Sequence, residues 1–237
     1  LVSFFDLKEA FFTEHSLGPM MYDMFRRFLR DAGLNEKNHF TSFAELIEQI
    51  GWESDTALGF MMVNFAMENP QIAWYVNTLD IGVYYERKQV EEMLTSLDVK
   101  PKDAKSIVKS YKRIMETPFG TTLNFGYFTD DENIVRLKWS MSDNRVFLYA
   151  LYRFVEKCNL NREFNVSYLF DESIERDGVS PVRLFGLYDE EELRNVLLGL
   201  SARYPNFINA TYTNDLQSIS LRDKSSSDVL KLFEEEY

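Results

Sequence analysis

The stretch KDAKSIVKSYKRIME, residues 102–116, carries the strongest fold signal in the chain. At roughly 100° per residue, its apolar side chains fall within a sector of roughly 120°, and its cations fall in the opposite sector. The apolar set is Ala104, Ile107, Val108, Tyr111, Ile114 and Met115, and the cationic set is Lys102, Lys105, Lys109, Lys112 and Arg113. The sequence therefore predicts a helix that packs on a core with one side and presents positive charge with the other.

The flanking residues predict the order of a winged helix-turn-helix around this helix. Pro118 and Gly120 are expected to end it, because proline lacks the backbone donor and glycine permits a turn. A shorter helix is predicted before it, over residues 86–97. Two β-leaning runs follow, TTLNFGYF (121–128) and NIVRLKWSM (133–141), with an acidic turn between them.

The same order begins again at Ser142. A helix over residues 144–158, a short helix or turn over 166–173, a long helix capped by Asp189 and a hairpin around Asn214-Asp215 are predicted. The expected fold is mainly α with β-hairpins (α+β): an N-terminal helical segment (1–52) and two winged-helix-like units (53–141 and 142–237). Many α+β domains also contain a helix–helix–hairpin order, and that alternative stays open.

The N-terminal segment contains a cluster of three arginines. Pro19 can start a helix that runs to about Asp31, with Met21, Met24, Phe25, Phe28 and Leu29 on one face and Arg26, Arg27 and Arg30 near its end. Cations there suit the negative end of the helix dipole. A solvated face and a phosphate contact are both consistent with this cluster.

Charge is distributed unevenly along the chain. The net charge is −12, which argues against indiscriminate coating of nucleic acid. Residues 87–113 contain eight basic and four acidic residues, whereas residues 171–237 contain seven basic and fourteen acidic residues. A local basic face in the first unit and an acidic second unit are therefore expected.

Residues typical of catalytic and metal sites are scarce in the sequence. His15 and His39 lie in different predicted segments, and neither a zinc spacing nor a phosphate-cradling glycine loop is present. Cys158 is the single cysteine, which excludes an internal disulfide and favours a cytoplasmic protein. The sequence predicts no cofactor, no metal, no membrane span and no catalytic residues, so a binding module is favoured over an enzyme.

The predicted nucleic-acid interface consists of the cationic helix face and the second strand of the hairpin that follows it. In a winged helix-turn-helix the second helix enters the major groove, and the hairpin can contact the backbone. The candidate residues are Lys102, Lys105, Ser106, Lys109, Lys112, Arg113, Arg136 and Lys138. Lysines suit phosphate contact more than base reading. A lysine-rich face that is simply solvated is the alternative.

The matching helix of the second unit predicts a protein contact. Its exposed side contains Glu191, Arg194, Asn195, Leu198 and Ser201, which offer phosphate no net attraction. Leu198 and Arg194 are the candidate protein-interaction residues, although single exposed leucines are common.

Residues 142–237 resemble the C-terminal part of an uncharacterised bacterial family. The resemblance lies in GVSPVRLFGLYDEEELRNVLLGLSARYPNFINATYTNDLQSISLRDKSSSDVLKLFEEEY: a helix, an F/Y-I strand, a turn, a second strand and a closing helix. That family is associated with phosphoadenosine-phosphosulfate-reductase-like enzymes in DNA-phosphorothioation and defence loci. The resemblance implies a non-catalytic module that works with a sulfur-transfer enzyme.

Two hypotheses follow from the sequence. The first is a nucleic-acid-binding and protein-interaction module, the C-terminal part or partner of a larger bacterial protein. The second is an accessory domain of a phosphoadenosine-phosphosulfate-reductase-like enzyme, with no DNA contact of its own.

Overall fold

The computed structural model of the protein describes residues 1–140, 142–171, 178–213 and 216–234. The helices are α1 (Val2–Leu7), α2 (Phe11–Glu14), α3 (Pro19–Asp31), α4 (Ser42–Ile50), α5 (Asp55–Glu68), α6 (Pro70–Thr78), α7 (Arg87–Thr95), α8 (Pro101–Met115), α9 (Pro118–Thr121), α10 (Asn144–Lys157), α11 (Pro181–Phe185), α12 (Glu190–Arg203) and α13 (Ser226–Glu234), with 3-10 turns at Lys8–Ala10 and Val166–Phe170. The strands are β1 (Asn35–Glu36), β2 (His39–Phe40), β3 (Tyr84–Glu86), β4 (Gly126–Phe128), β5 (Asn133–Arg136), β6 (Glu163–Asn165), β7 (Ile208–Tyr212) and β8 (Gln217–Leu221). The mixed α+β class predicted from the sequence is confirmed.

Side-chain caps mark the starts of α4 and α5. The Thr41 hydroxyl accepts a hydrogen bond from the Ala44 backbone N–H at 3.1 Å, and the Ser54 hydroxyl accepts one from the Ala57 N–H at 3.2 Å. Each cap satisfies a backbone donor that the first helical turn leaves unpaired. Local chemistry therefore sets the start of α4 and of α5.

Two three-stranded sheets have the same strand order. The first is β3-β5-β4 and the second is β6-β8-β7, both antiparallel, so the last strand in sequence lies in the middle of each. In the first, α7, α8 and the short α9 lie between β3 and β4; in the second, a 3-10 turn, α11 and α12 lie between β6 and β7. The predicted hairpin turn at Asn214-Asp215 lies outside the described residues.

The strand limits differ from the prediction around the first hairpin. The run predicted as strand from residue 121 begins with the end of α9, and only Gly126–Phe128 pair with β5. The second run ends as a strand at Arg136, and three residues later Trp139 donates its backbone N–H to the Phe185 carbonyl. A third strand, β3, pairs with β5 on its other side. Sequence separation had hidden that pairing.

In each half, the hydroxyl of one buried tyrosine forms a hydrogen bond between the preceding helix and the chain just before a strand; we call these two residues, Tyr75 and Tyr152, the matched tyrosines. The Tyr75 hydroxyl on α6 donates to the Phe125 carbonyl at 3.0 Å, one residue before β4. The Tyr152 hydroxyl on α10 donates to the Phe207 carbonyl at 2.7 Å, one residue before β7. All four side chains are buried. The same contact therefore recurs at the same place in the two halves.

Buried side chains from all three predicted segments belong to one hydrophobic cluster. The Tyr149 hydroxyl of α10 donates to the Asn64 carbonyl oxygen on α5 at 2.8 Å, and the Asn64 amide donates to the Ala32 carbonyl at 3.1 Å. These bonds tie the N-terminal helices to both sheet-containing regions. The boundaries proposed after residues 52 and 141 stay predictions.

Among the described residues, no helix combines the length and the apolar character that crossing a bilayer requires.

Candidate nucleic-acid interface

Helix α8 has the two faces that its sequence predicts. Its apolar side is buried at Ala104, Ile107, Val108, Tyr111 and Met115, and Ile114 is half-buried. Pro101 stands at the first helical position, where its missing N–H costs nothing. Lys112 and Arg113 lie in the last turn, where the helix dipole favours positive charge. Packing of the apolar side therefore holds the cationic side outward.

Most of the α8 cations are exposed and have no carboxylate partner. Lys102, Lys105, Lys109 and Arg113 are exposed. Within the part of the chain that the structure describes, no carboxylate lies within ion-pair distance of them. Exposed Ser106 lies on the same stretch, and the Ser110 hydroxyl donates to its carbonyl at 3.0 Å. These four cations are available for an external anion.

The hairpin beside α8 adds a carboxylate to this surface. Glu132, in the β4–β5 turn, lies 3.0 Å from the Arg87 guanidinium and 3.9 Å from the Lys112 ammonium. The Lys112 ammonium also lies 5.7 Å from the centre of the Phe128 ring. Hydrogen bonds to Glu91 and then to Glu132 raise the pKa of Arg87. Lys112 therefore lies within ion-pair distance of a competing carboxylate. The four exposed cations do not, although Lys105 lines the same cavity as Glu132.

The Lys138 side chain is exposed, but it already has a carboxylate partner. Its ammonium donates a hydrogen bond to the Glu192 carboxylate in the first turn of α12. This contact joins the first predicted unit to the second. A phosphate that approached Lys138 would compete with Glu192.

The prediction that Arg136 lies on the nucleic-acid surface is wrong. Its side chain is 2% exposed, and its guanidinium donates to the carbonyls of Val76 (2.5 Å), Leu79 (2.8 Å) and Arg183. Burial lowers its pKa below the ordinary value for arginine. Carbonyls at the ends of α6 and α11 surround the charge, and these helix termini carry negative partial charge. Arg136 is a structural link and not a surface cation.

The protein-interaction candidates lie on α12 as the sequence predicts. Arg194 is exposed, and its guanidinium lies 5.4 Å from the centre of the Tyr212 ring. Leu198 is half-buried on the same helix. Asp189 caps this helix by accepting from the Glu192 N–H at 2.8 Å. The acidic first turn matches the helix dipole, so the exposed side of α12 offers phosphate little attraction.

Sequence reasoning missed a cleft between α3 and α8. Its volume is about 480 Å³. Side chains from both helices and from the α5–α6 junction line it: Met24, Arg27, Phe28, Asp31, Met62, Phe65, Asn69, Gln71, Ile72, Asp103, Ser106, Ile107, Ser110, Tyr111, Ile114 and Phe119. The methionine-rich face of α3 is a signal for an unfilled surface, but it does not say which helix lies opposite.

Metal ligands do not cluster in the described residues: no group of three or more His, Cys, Asp or Glu side chains there could hold an ion.

Comparison with known proteins finds similarity in structure and not in sequence. No protein-family model matches the chain, and no curated protein matches it. A solved structure described as "Magnesium ion-bound SspB crystal structure" superposes with a TM-score of 0.69 at 13% identity, over 99% of this chain and 79% of that chain. A second, "SspB crystal structure", has a TM-score of 0.61 at 12% identity, over 98% of this chain and 79% of that one. At these identities the similarity shows the fold alone.

Proposed function

We propose that residues 84–136 and 163–221 are the β-strand and helix portions of two winged-helix units, and that the first binds nucleic acid. The shared strand order supports this, because in each sheet the first strand pairs with the last, and a shorter helix followed by a longer one lies between the first strand and the next. The matched tyrosines support it as well. In this proposal α8 is the recognition helix and α12 is its counterpart, which contacts protein through Arg194 and Leu198.

The observation that carries the proposal is the row of open cations on α8. Lys102, Lys105 and Lys109 recur on one face and are exposed, in a chain whose net charge is −12. Ammonium groups in such a row suit the phosphates of one backbone, and release of counterions drives their binding. Arg113 is the one guanidinium of the row that could read a guanine edge in two hydrogen bonds.

The experiment is a salt titration of duplex DNA binding, measured by fluorescence anisotropy. The logarithm of the association constant is expected to fall linearly with the logarithm of salt, with a slope of about −0.9 per neutralised phosphate. Lys105→Gln with Lys109→Gln should lower affinity for all sequences and make the slope shallower by about 2.

A matched control removes the same amount of charge elsewhere. Lys37 and Arg203 are exposed and lie outside α8. Lys37→Gln with Arg203→Gln should leave the slope unchanged, although the net charge changes equally. No binding of nucleic acid at low salt, whether duplex or single-stranded, or equal effects of the two double variants, would contradict the proposal.

The resemblance of residues 142–237 favours a second candidate function, an accessory role for a phosphoadenosine-phosphosulfate-reductase-like enzyme. Gel filtration of the chain with such an enzyme should show a shared peak if the acidic unit is its docking module. Arg194→Glu with Leu198→Glu should separate the two proteins without changing DNA affinity. Separate elution of the wild-type proteins would remove this candidate.

A further inference from the structure

We propose that the α3–α8 cleft receives an unpaired nucleobase, so that the first unit prefers single-stranded to duplex nucleic acid. The inference rests on the proposed function, because α8 provides cations on one side of the cleft. It adds a ligand class, and it adds α3 as a second contributing helix.

Residues of α3 and α8 together line two cavities. Asp31, at the end of α3, and Asp103, at the start of α8, line the same cavity. Met21, near the start of α3, and Arg113, near the end of α8, both line a neighbouring cavity of about 750 Å³. Met24 borders both cavities. Phe28, Ile114 and Phe119 also border both, so the two cavities adjoin and together form the groove between α3 and α8.

Cations stand on both sides of this groove. Arg27 lines it from α3, is exposed, and has no carboxylate within ion-pair distance among the residues that the structure describes. On the α8 side, Arg113 is exposed and lines the neighbouring cavity. A nucleic-acid strand that crosses the groove places phosphates on each side of a base, which matches this arrangement. An apolar occupant such as a protein helix would leave these charges without partners.

The walls suit the faces of a base. Met24, Phe28 and Ile114 present apolar surface to the cavity, and apolar or aromatic surface can accept any base, because every base has a π-face. Asp31 is already engaged, since its carboxylate accepts from Arg30 at 2.7 Å and from Asn69 at 3.0 Å.

Two exposed polar side chains remain for the edge of a base. Gln71 and Asp103 line the cavity and are exposed. An amide donates and accepts hydrogen bonds, and a carboxylate accepts from the exocyclic amines of bases. A base inside a duplex cannot present its faces to the cleft, because its neighbours cover them.

The test compares three labelled probes by fluorescence anisotropy: a DNA strand of about 12 nucleotides, the RNA strand of the same sequence, and the DNA duplex. One or both single strands should bind about tenfold more tightly than the duplex. Ser110→Trp, which places an indole across the cleft, should remove this preference; Ser110→Ala leaves the cleft open and should retain it. Arg27→Gln should weaken binding of the single strand severalfold.

The outcomes separate the inference from the function on which it rests. Failure of all three probes to bind would remove the proposed function. Duplex binding that equals or exceeds single-strand binding, or a preference that persists in Ser110→Trp, would overturn the inference and leave the function standing. Thermal unfolding checks that the variants fold. If Ser110→Trp does not fold, Met24→Trp replaces it, because that tryptophan fills the cleft from the opposite wall.

Discussion

Residues 84–136 and 163–221 have the same strand order but present different surfaces. The middle of each sheet pairs a buried aromatic with a buried isoleucine: Tyr85 with Ile134, and Phe164 with Ile219. The exposed side of α8 is cationic, whereas the first turn of α12 is acidic. The two regions therefore share the buried contacts within their sheets. Their solvent-exposed residues differ, because exposed positions contribute little to the strand order.

One buried position breaks the correspondence. By strand register, Arg136 of β5 corresponds to Leu221 of β8, because each ends the middle strand of its sheet. Both are buried. The arginine reaches carbonyls of α6 and α11, so it joins the first region to the second. The leucine has no such role.

The largest expected effect is that of Arg136→Leu, which introduces the residue of the matched position. Buried carbonyls of Val76, Leu79 and Arg183 would lose their donor, and each unsatisfied group is costly. The free energy of unfolding should fall by about 3 kcal/mol, measured by urea denaturation. Leu221→Met, a volume-conserving change, is the control and should cost less than about 1.5 kcal/mol. Equal losses would show that the guanidinium is not a link.

The matched tyrosines should differ at alkaline pH. Burial raises the pKa of Tyr152 to about 12, and burial raises the pKa of Tyr75 further. Because the unfolded chain ionises near pH 10 and the folded chain later, each tyrosine contributes stability that is present below about pH 10 and lost as pH rises.

Phenylalanine substitutions measure these two contributions. Tyr75→Phe should remove more of the alkaline loss than Tyr152→Phe, which should remove about 2 kcal/mol between about pH 10 and 12. The readout is urea unfolding at several pH values. Identical pH profiles of the two variants would contradict the larger rise in the pKa of Tyr75.

A smaller effect is expected for single cations. Lys109→Gln should make the salt slope of DNA binding shallower by about 0.9 and lower affinity severalfold. Arg194→Gln, on the exposed side of α12, should leave the slope unchanged. If Arg194→Gln lowered DNA affinity as much as Lys109→Gln does, both regions would contact DNA, and the proposed difference between them would be wrong.

The smallest expected effect on stability is that of a substitution in α13, the helix that follows the middle strand of the second sheet. After β8 the chain enters α13, where Asp228 accepts hydrogen bonds from Lys231 and Ser225. These bonds, that of Lys231 first, hold the pKa of Asp228 below its usual range. A lowered pKa means that this stability is present above about pH 4 and lost as pH falls.

Asp228→Asn should therefore cost less than about 1 kcal/mol at neutral pH. The variant should also lose less stability than the wild type when pH is lowered below about 4. Urea unfolding at neutral and acidic pH gives both values. An unchanged acid profile would place the acid sensitivity elsewhere in the chain.

The helices were predictable because their signals are local. Pro19 begins α3, and Thr41, Ser54 and Asp189 cap helices where the spacing of apolar residues starts. The matched tyrosines were not found, although Asn-Phe precedes the strand in both halves, at residues 124–125 and 206–207. Their partners lie 50 and 55 residues away, and such separation is invisible to local patterns.

The sequence by itself determined the α+β class, the amphipathic helix at α8 and the outward direction of its lysines, because helical periodicity couples burial to spacing. Only the tertiary structure decided that the Arg136 side chain is buried. Alternation along a strand separates two faces, but it cannot show that α6 and α11 cover the face on which Arg136 lies. The tertiary structure also decided that α3 flanks α8, since no local interaction specifies which helices become neighbours.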